Sequence, residues 1–241
     1  MGLWADAVLH VLLPRACMSC RDDMPMRDQS PLCASCAKAL PPALTPACAR
    51  CGGFLGARRD FCGACAGKLF ACRIIRARSV HRASAAALVH AFKFRGFPSA
   101  ACEAGRLMAE RFEHIPELSG FDAFVAIPLH PRRLRERGYN QAELIARELA
   151  ARTGLPLLDP LERVRGAGPA WSLGRAARHH QLAGAFRLRD AAKPFVAGKR
   201  LLLVDDVCAS STTLEECALV LRRSGAKDIV GYVFTRAGRS S

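Results

Sequence analysis

Four Cys-x-x-Cys pairs, Cys17/Cys20, Cys33/Cys36, Cys48/Cys51 and Cys62/Cys65, follow one another with 12, 11 and 10 residues between them. Each pair puts two thiolates on one tight knuckle, and two knuckles complete the tetrahedral four-sulfur shell that Zn²⁺ adopts in closed structural sites. Two structural zinc ions are therefore expected. Disulfides and an iron–sulfur or redox role are the competing readings. The start of the chain carries no secretory pattern, a reducing cytoplasm opposes disulfides, and a redox motif usually occurs once rather than four times. Sequential pairing would group Cys17/20/33/36 and Cys48/51/62/65, whereas an interleaved arrangement would join the first pair with the third; spacing leaves both open. Cys72, Cys102, Cys208 and Cys217 fall outside the pattern and read as small buried hydrophobes. Cys208 stands apart because an acidic pair precedes it.

The pattern changes near residue 70. Residues 14–68 are punctuated by Pro, Gly and paired Cys, as in a metal-stapled module without a large core of its own. From residue 72 apolar strand-like runs alternate with amphipathic helical ones, which implies parallel strands joined by crossover helices. A small module over 1–70 and an α/β domain over 71–241 are expected, within what 241 residues can hold. Helices are expected over Ser84–Phe94, Ala101–Phe112 and Gln141–Arg152, with a strand over Phe121–Ile127 and a long polar loop after Pro128. Lys199–Val207, Thr213–Ser224 and Asp228–Phe234 read as a complete βαβ unit. Arg163–Arg178 mixes Gly, Pro, Trp and Arg without a period and is the best candidate for a functional loop.

No apolar run reaches the roughly 18 residues a transmembrane helix needs, so a cytoplasmic protein without stable membrane insertion is expected. Residues 3–13 can form a short amphipathic helix, packed on its own domain or touching a membrane or partner. The formal net charge is +15. Eight zinc-bound thiolates and two divalent ions would bring it to about +11, so a nucleic-acid signal weakens without vanishing. Thirty of the 36 basic residues are Arg. That suits phosphate, and an Arg- and Ala-rich composition also follows from a GC-rich genome.

The run from Arg200 to Leu214 reads as a buried strand ending in Asp205-Asp206, followed by Val207, Cys208, Ala209, Ser210, Ser211, Thr212 and Thr213 at a helix start. Ligands of open α/β sheets bind at that edge. Amide groups at the helix start, assisted by hydroxyls, can wrap a phosphate. Two carboxylates can accept from ribose hydroxyls or lie near the Mg²⁺ that accompanies a pyrophosphate. The plainer alternative is an ordinary strand-end Asp with Thr212-x-x-Glu215 as a capping box. Two adjacent acids and four consecutive hydroxyl residues favour the binding site.

This stretch resembles the phosphoribosyltransferase signature, and the chain over residues 15–236 resembles the ComF/GntX family of competence-associated proteins. Phe92-Lys93-Phe94-Arg95-Gly96 is similar to that family's Lys-Phe-x-Gly segment, and Ile127-Pro128-Leu129-His130-Pro131 to its Val-Pro-Leu loop. Arg137-Gly138-Tyr139-Asn140-Gln141 resembles its Arg-Gly-Phe-Asn-Gln block, and Arg175–Phe186 its Arg-rich segment ending in Gly-Ala-Phe. The resemblance implies a type I phosphoribosyltransferase-like parallel sheet with flanking helices behind a double zinc ribbon. It also implies binding of 5-phosphoribosyl-1-pyrophosphate (PRPP). The 5-phosphate would lie on Ser210–Thr213, the ribose hydroxyls on Asp205 and Asp206, and the pyrophosphate with Mg²⁺ near Pro128, Leu129, Arg133, Arg135 and Arg137. The family's first loop Thr is Ala209 here and its loop Gly is Ser211. Gly166–Trp171 and Gln181 also depart from its pattern.

Ribosyl transfer from pyrophosphate passes through a cationic sugar, so the protein must hold the leaving group and exclude water rather than supply a nucleophile. His130, His179 and His180 read as bystanders. Two functions stay open: a phosphoribosyltransferase with an unidentified nitrogenous acceptor, and a non-catalytic factor in DNA uptake that binds single-stranded DNA or partner competence proteins. Few aromatics interleave with the basic charge, which weakens a stacking platform for single strands.

Overall fold

The computed structural model describes residues 15–25, 28, 30–56, 59–165 and 182–237. The expected helix over 3–13, His179, His180, Gln181 and most of the Arg163–Arg178 loop lie outside these residues.

The first knuckles carry a short antiparallel pair, β1 (Arg15–Ala16) and β2 (Asp23–Met24), and helix α1 (Ala34–Lys38). The α/β part runs β3 (Ile75–Val80), α2 (Ala83–Phe94), α3 (Pro98–Phe112), β4 (Ala123–Ala126), α4 (Pro131–Arg137), α5 (Gln141–Thr153) and β5 (Leu157–Leu158). It continues with β6 (Leu161–Arg163), β7 (Phe186–Leu188), α6 (Lys193–Val196), β8 (Arg200–Cys208), α7 (Thr212–Arg223) and β9 (Asp228–Arg236). Five strands form one parallel sheet in the order β3-β9-β8-β4-β5, while β6 and β7 pair antiparallel as a separate ribbon.

The βαβ unit expected near the C-terminus is present as β8-α7-β9. The stretch after Pro128 expected to be a polar loop contains α4. His130 accepts from Arg132 N to cap that helix, Pro131 opens it, and Gly138 in the left-handed region closes it. Seven residues are too few for periodicity to stand out, which is why the sequence reads as loop.

Alternation along β8 divides the core. Leu202 and Val204 face one side with Phe124, Val230, Tyr232 and Phe234, under α2, α3 and α5. Leu201 and Leu203 face the other with Val125, Ile229 and Val233, under α7 and the β6–β7 ribbon. Both faces of β8 are covered, so its apolar run is continuous rather than alternating. On the first side α3 and α5 touch at Gly105, where a Cβ would stand 2.6 Å from Glu148 Cβ and 2.7 Å from Ile145 O. Only glycine lets the helices approach this closely.

Packing continues across residue 70. Cys17, Met24, Leu32 and Leu40 join the first-side core beside Leu88 and Phe92, and Ser79 Oγ donates to Pro41 O. The second knuckle pair keeps a small cluster of its own, Cys48, Cys51, Leu55 and Cys65.

Candidate functional site

All five strands of a parallel sheet end at one edge, and β4 and β8 are neighbours in it. β4 delivers Pro128 and Leu129 to this edge, and Asn140 secures the return of the chain. Its side-chain amide donates to Ile127 O at 3.1 Å and its Oδ1 accepts from Ala142 N at 3.1 Å to cap α5. Tyr139 donates to Phe92 O at 2.7 Å, joining this segment to the end of α2. Arg137 donates to Gln141 Oε1, and its charge acts on Asp206. Arg133 is exposed on α4.

The two acids do not point the same way. Asp206 follows Leu202 and Val204 to the first side, is almost wholly buried, and its Oδ1 lies 2.7 Å from Lys93 Nζ. Among the described residues, its buried Oδ2 has no hydrogen-bond partner. Thr235 Oγ1 reaches the Asp206 carbonyl at 3.5 Å and stands 3.0 Å from His81 Nδ1. Burial, then the charge of Lys93, pushes the His81 imidazole below its ordinary range. Asp205 follows Leu201 and Leu203 to the second side. Desolvation raises its carboxyl to about 7, the neighbouring Asp206 charge adds to the rise, and Lys93 and Arg163 oppose it. Asp205 Oδ1 also accepts from Asp206 N at 2.8 Å. Arg163 comes from β6, with its guanidinium carbon 5.3 Å from the Phe186 ring centre.

The turn after β8 opens α7. Val207 and Cys208 still belong to the strand, Ala209 is exposed, and Ser210, Ser211, Thr212 and Thr213 lead into the helix. Ser210 Oγ donates to Thr212 Oγ1 at 3.3 Å. The first-turn amides of any helix lack intrahelical acceptors, so this turn can bind an anion. The capping-box alternative is not realised, since the N-cap Ser211 makes no side-chain cap bond. Glu215 instead accepts from Ala71 N at 2.6 Å, Cys72 N at 3.2 Å and Arg50 at 2.7 Å. It ties α7 to the second knuckle pair.

The cysteines assemble sequentially. Cys17, Cys20, Cys33 and Cys36 form one group and Cys48, Cys51, Cys62 and Cys65 another, with the sulfurs of each group within 4.8 Å of one another. Cys20 and Cys33 Sγ, and likewise Cys51 and Cys62 Sγ, are 3.8 Å apart. A tetrahedron with Zn–S near 2.3 Å has an edge of about 3.8 Å, so the donor set fits zinc. Backbone amides point at the sulfurs as well, with Cys33 N 3.3 Å from Cys17 Sγ and Cys62 N 3.4 Å from Cys48 Sγ. Burial raises the Cys17 and Cys48 thiols, but these amide bonds outweigh it and bring each down to about 6. The eight cysteines would hold two structural zinc ions.

The family model for a double zinc ribbon domain matches residues 8–66. The DNA utilization protein YhgH of Salmonella typhi is 28% identical over 93% of this chain and 98% of its own length. Competence protein F of Haemophilus influenzae is 27% identical over 92% of this chain and 96% of its own. Over most of its length the chain is thus similar to curated proteins named for DNA utilization and competence.

Among solved structures, the glutamine phosphoribosylpyrophosphate amidotransferase of B. subtilis, complexed with ADP and GMP, covers 56% of this chain at 21% identity and a TM-score of 0.39. This chain spans 26% of that enzyme. An adenine phosphoribosyltransferase covers 62% of this chain and 74% of its own, at 18% identity and a TM-score of 0.37.

The departure at Ser211 is harmless to the backbone. Its φ is −73°, so the position does not call for glycine. Lys93, His81, Thr235, Arg163 and Glu215 are site residues that reading the chain for ligand contacts missed. Lys93 stands in the Lys-Phe-x-Gly segment, but nothing in its neighbours says that it reaches an acid 113 positions later. Arg163 lies at the start of the Arg163–Arg178 stretch read as a functional loop, which was the one available signal for it.

Proposed function

We propose that this protein binds a 5-phosphorylated ribosyl pyrophosphate at the carboxyl end of β8. The carrying observation is Asp206, a nearly buried carboxylate with one oxygen on Lys93 and the other, among the described residues, without a partner, set beside a hydroxyl-rich helix start. A buried acceptor left open costs about 1–3 kcal/mol, and a ribose hydroxyl would satisfy it. The 5-phosphate would take the amides and hydroxyls of Ser210–Thr213. Arg133 and Arg137 would face the pyrophosphate, whose accompanying Mg²⁺ the acidic pair would help to hold.

In a transferase reaction the chain would orient the sugar, draw charge off the leaving pyrophosphate through Arg137 and Arg133, and keep water out. Zinc in the two ribbons would be structural, in a reducing cytoplasm that keeps the thiols available. Calorimetric titration of the zinc-loaded protein with PRPP and Mg²⁺ tests the site. Asp206→Asn should weaken binding at least about tenfold, as expected for loss of hydrogen bonds to a charged group. Equal binding by wild type and variant would refute it.

The names of the relatives support a second reading, in which the pocket serves an accessory factor in DNA uptake that handles single strands or competence partners. Pyrophosphate release across a panel of bases would favour the transferase. A salt-dependent mobility shift with labelled single strands and no turnover would favour the accessory role.

A further inference from the structure

The second four-cysteine centre grips the turn after β8 from both ends. Ahead of the turn, Cys208 Sγ donates to Ser210 O at 3.6 Å and accepts from Arg236 Nη1. The same guanidinium donates through Nη2 to Cys51 Sγ at 3.7 Å. Behind the turn, Glu215 holds Arg50, which lies on the knuckle between Cys48 and Cys51 and stacks 3.4 Å over Phe70. Ile75 N donates to Arg50 O at 2.7 Å, fastening that knuckle to β3 as well.

Arg236 has unusual company for a guanidinium. Among the described residues it pairs with no carboxylate, its Nε is buried without an acceptor, and its two outer nitrogens reach only sulfur. A partly buried cation in such a place needs an anion nearby. A metal-held thiolate at Cys51 is one, because four thiolates around a divalent ion leave a net negative centre.

We propose that the second four-cysteine centre, acting through Arg236 and Arg50, sets the conformation of the Cys208–Glu215 turn, so that filling this centre with metal is a condition for anion binding at the turn. The inference rests on reading that turn as the phosphate cradle. Arg236 and Arg50 are positioning residues: they touch sulfur, a carboxylate, backbone and the Phe70 ring.

Hydrogen exchange of the full zinc-loaded chain tests the coupling apart from any ligand, with zinc per chain counted by native mass spectrometry. In Arg236→Lys, whose single nitrogen cannot span Cys51 and Cys208, exchange in peptides covering 208–215 should rise roughly tenfold, as loss of a charge-assisted hydrogen bond implies. Peptides covering α5 should not change. Cys208→Ala, which touches no residue of the metal centre, should produce the same local rise and serves if Arg236→Lys loses zinc. Unchanged exchange at 208–215 in a variant that keeps two zinc ions overturns the proposal. Titration with inorganic phosphate and with PRPP then separates the two readings. Raised exchange with weaker binding supports both, and raised exchange in a protein that never bound either probe sinks the phosphate cradle while leaving the mechanical coupling.

Discussion

The two faces of β8 carry the same inventory in different forms. Each has a carboxylate, a basic charge acting on it and a four-cysteine ribbon. On the first side Asp206 meets Lys93 directly at 2.7 Å, and the ribbon contributes Cys17, Met24, Leu32 and Leu40 to the main apolar core. On the second side Asp205 has no ion pair among the described residues, its rise being opposed first by the charge of Lys93 and then by that of Arg163, and the ribbon joins through charge and backbone, by Arg50 to Glu215 and Arg236 to Cys51. Apolar attachment is non-directional and tolerates small shifts, whereas hydrogen-bonded attachment transmits position. The first ribbon is therefore built for stability and the second for registering the turn.

Opening the two metal centres should break this comparison most visibly. Cys17→Ser disturbs a centre within the main core and is expected to lower the unfolding free energy by on the order of 5 kcal/mol. Cys48→Ser should cost clearly less. Urea unfolding of both variants checks this, and equal losses would erase the distinction between the ribbons. A smaller effect belongs to Lys93→Met, which strands a buried carboxylate at a cost of about 3–5 kcal/mol. Adding Asp206→Asn should recover part of that loss in a double-mutant cycle.

Gly105→Ala should cost about 1–3 kcal/mol on the first side by prising α3 from α5, even though alanine is the better helix former. A stabilised variant would show that the crossing is loose. A pH titration probes the second side. The folded carboxyl of Asp205 is raised to about 7 from 3.8, so the folded state holds the extra proton between these values. Its stabilising contribution is complete below about pH 4 and is lost as pH rises through 7, with a slope of at most about 1.4 kcal/mol per unit. Asp205→Asn should flatten that part of the stability profile in urea titrations at successive pH values. Arg163→Met should push the window upward, because it removes a charge that favours the ionised form.

Much of the architecture was open to reading from the chain. The Cys-x-x-Cys spacing marked both metal shells, and the apolar run from Arg200 marked a strand covered on both sides. Helix α5 declared itself through the apolar spacing of Leu144, Ile145 and Leu149 and through Gly154 beyond its end. Helix α4 did not, because seven mostly charged residues carry no period. The acidic pair stood out in the sequence as two neighbouring acids at a strand end, but its division between two faces follows from the pleat and gives each acid its own environment. Glu215 shows how local pattern misleads: three residues after Thr212 it looks like a capping partner, yet its carboxylate is drawn to the Ala71 and Cys72 amides.

By itself the sequence determined the kinds of element, the donor types for metal and where a hydroxyl-rich helix start follows two acids. These depend on residue identity and short spacing, which act through local backbone geometry. Tertiary structure alone decided which knuckles share a shell, which base meets which acid, and that Arg236 stands between a metal centre and the turn after β8. Those outcomes depend on contacts between residues as far as 185 positions apart. No local preference encodes such a contact, because it exists only once the core has brought the strand ends together.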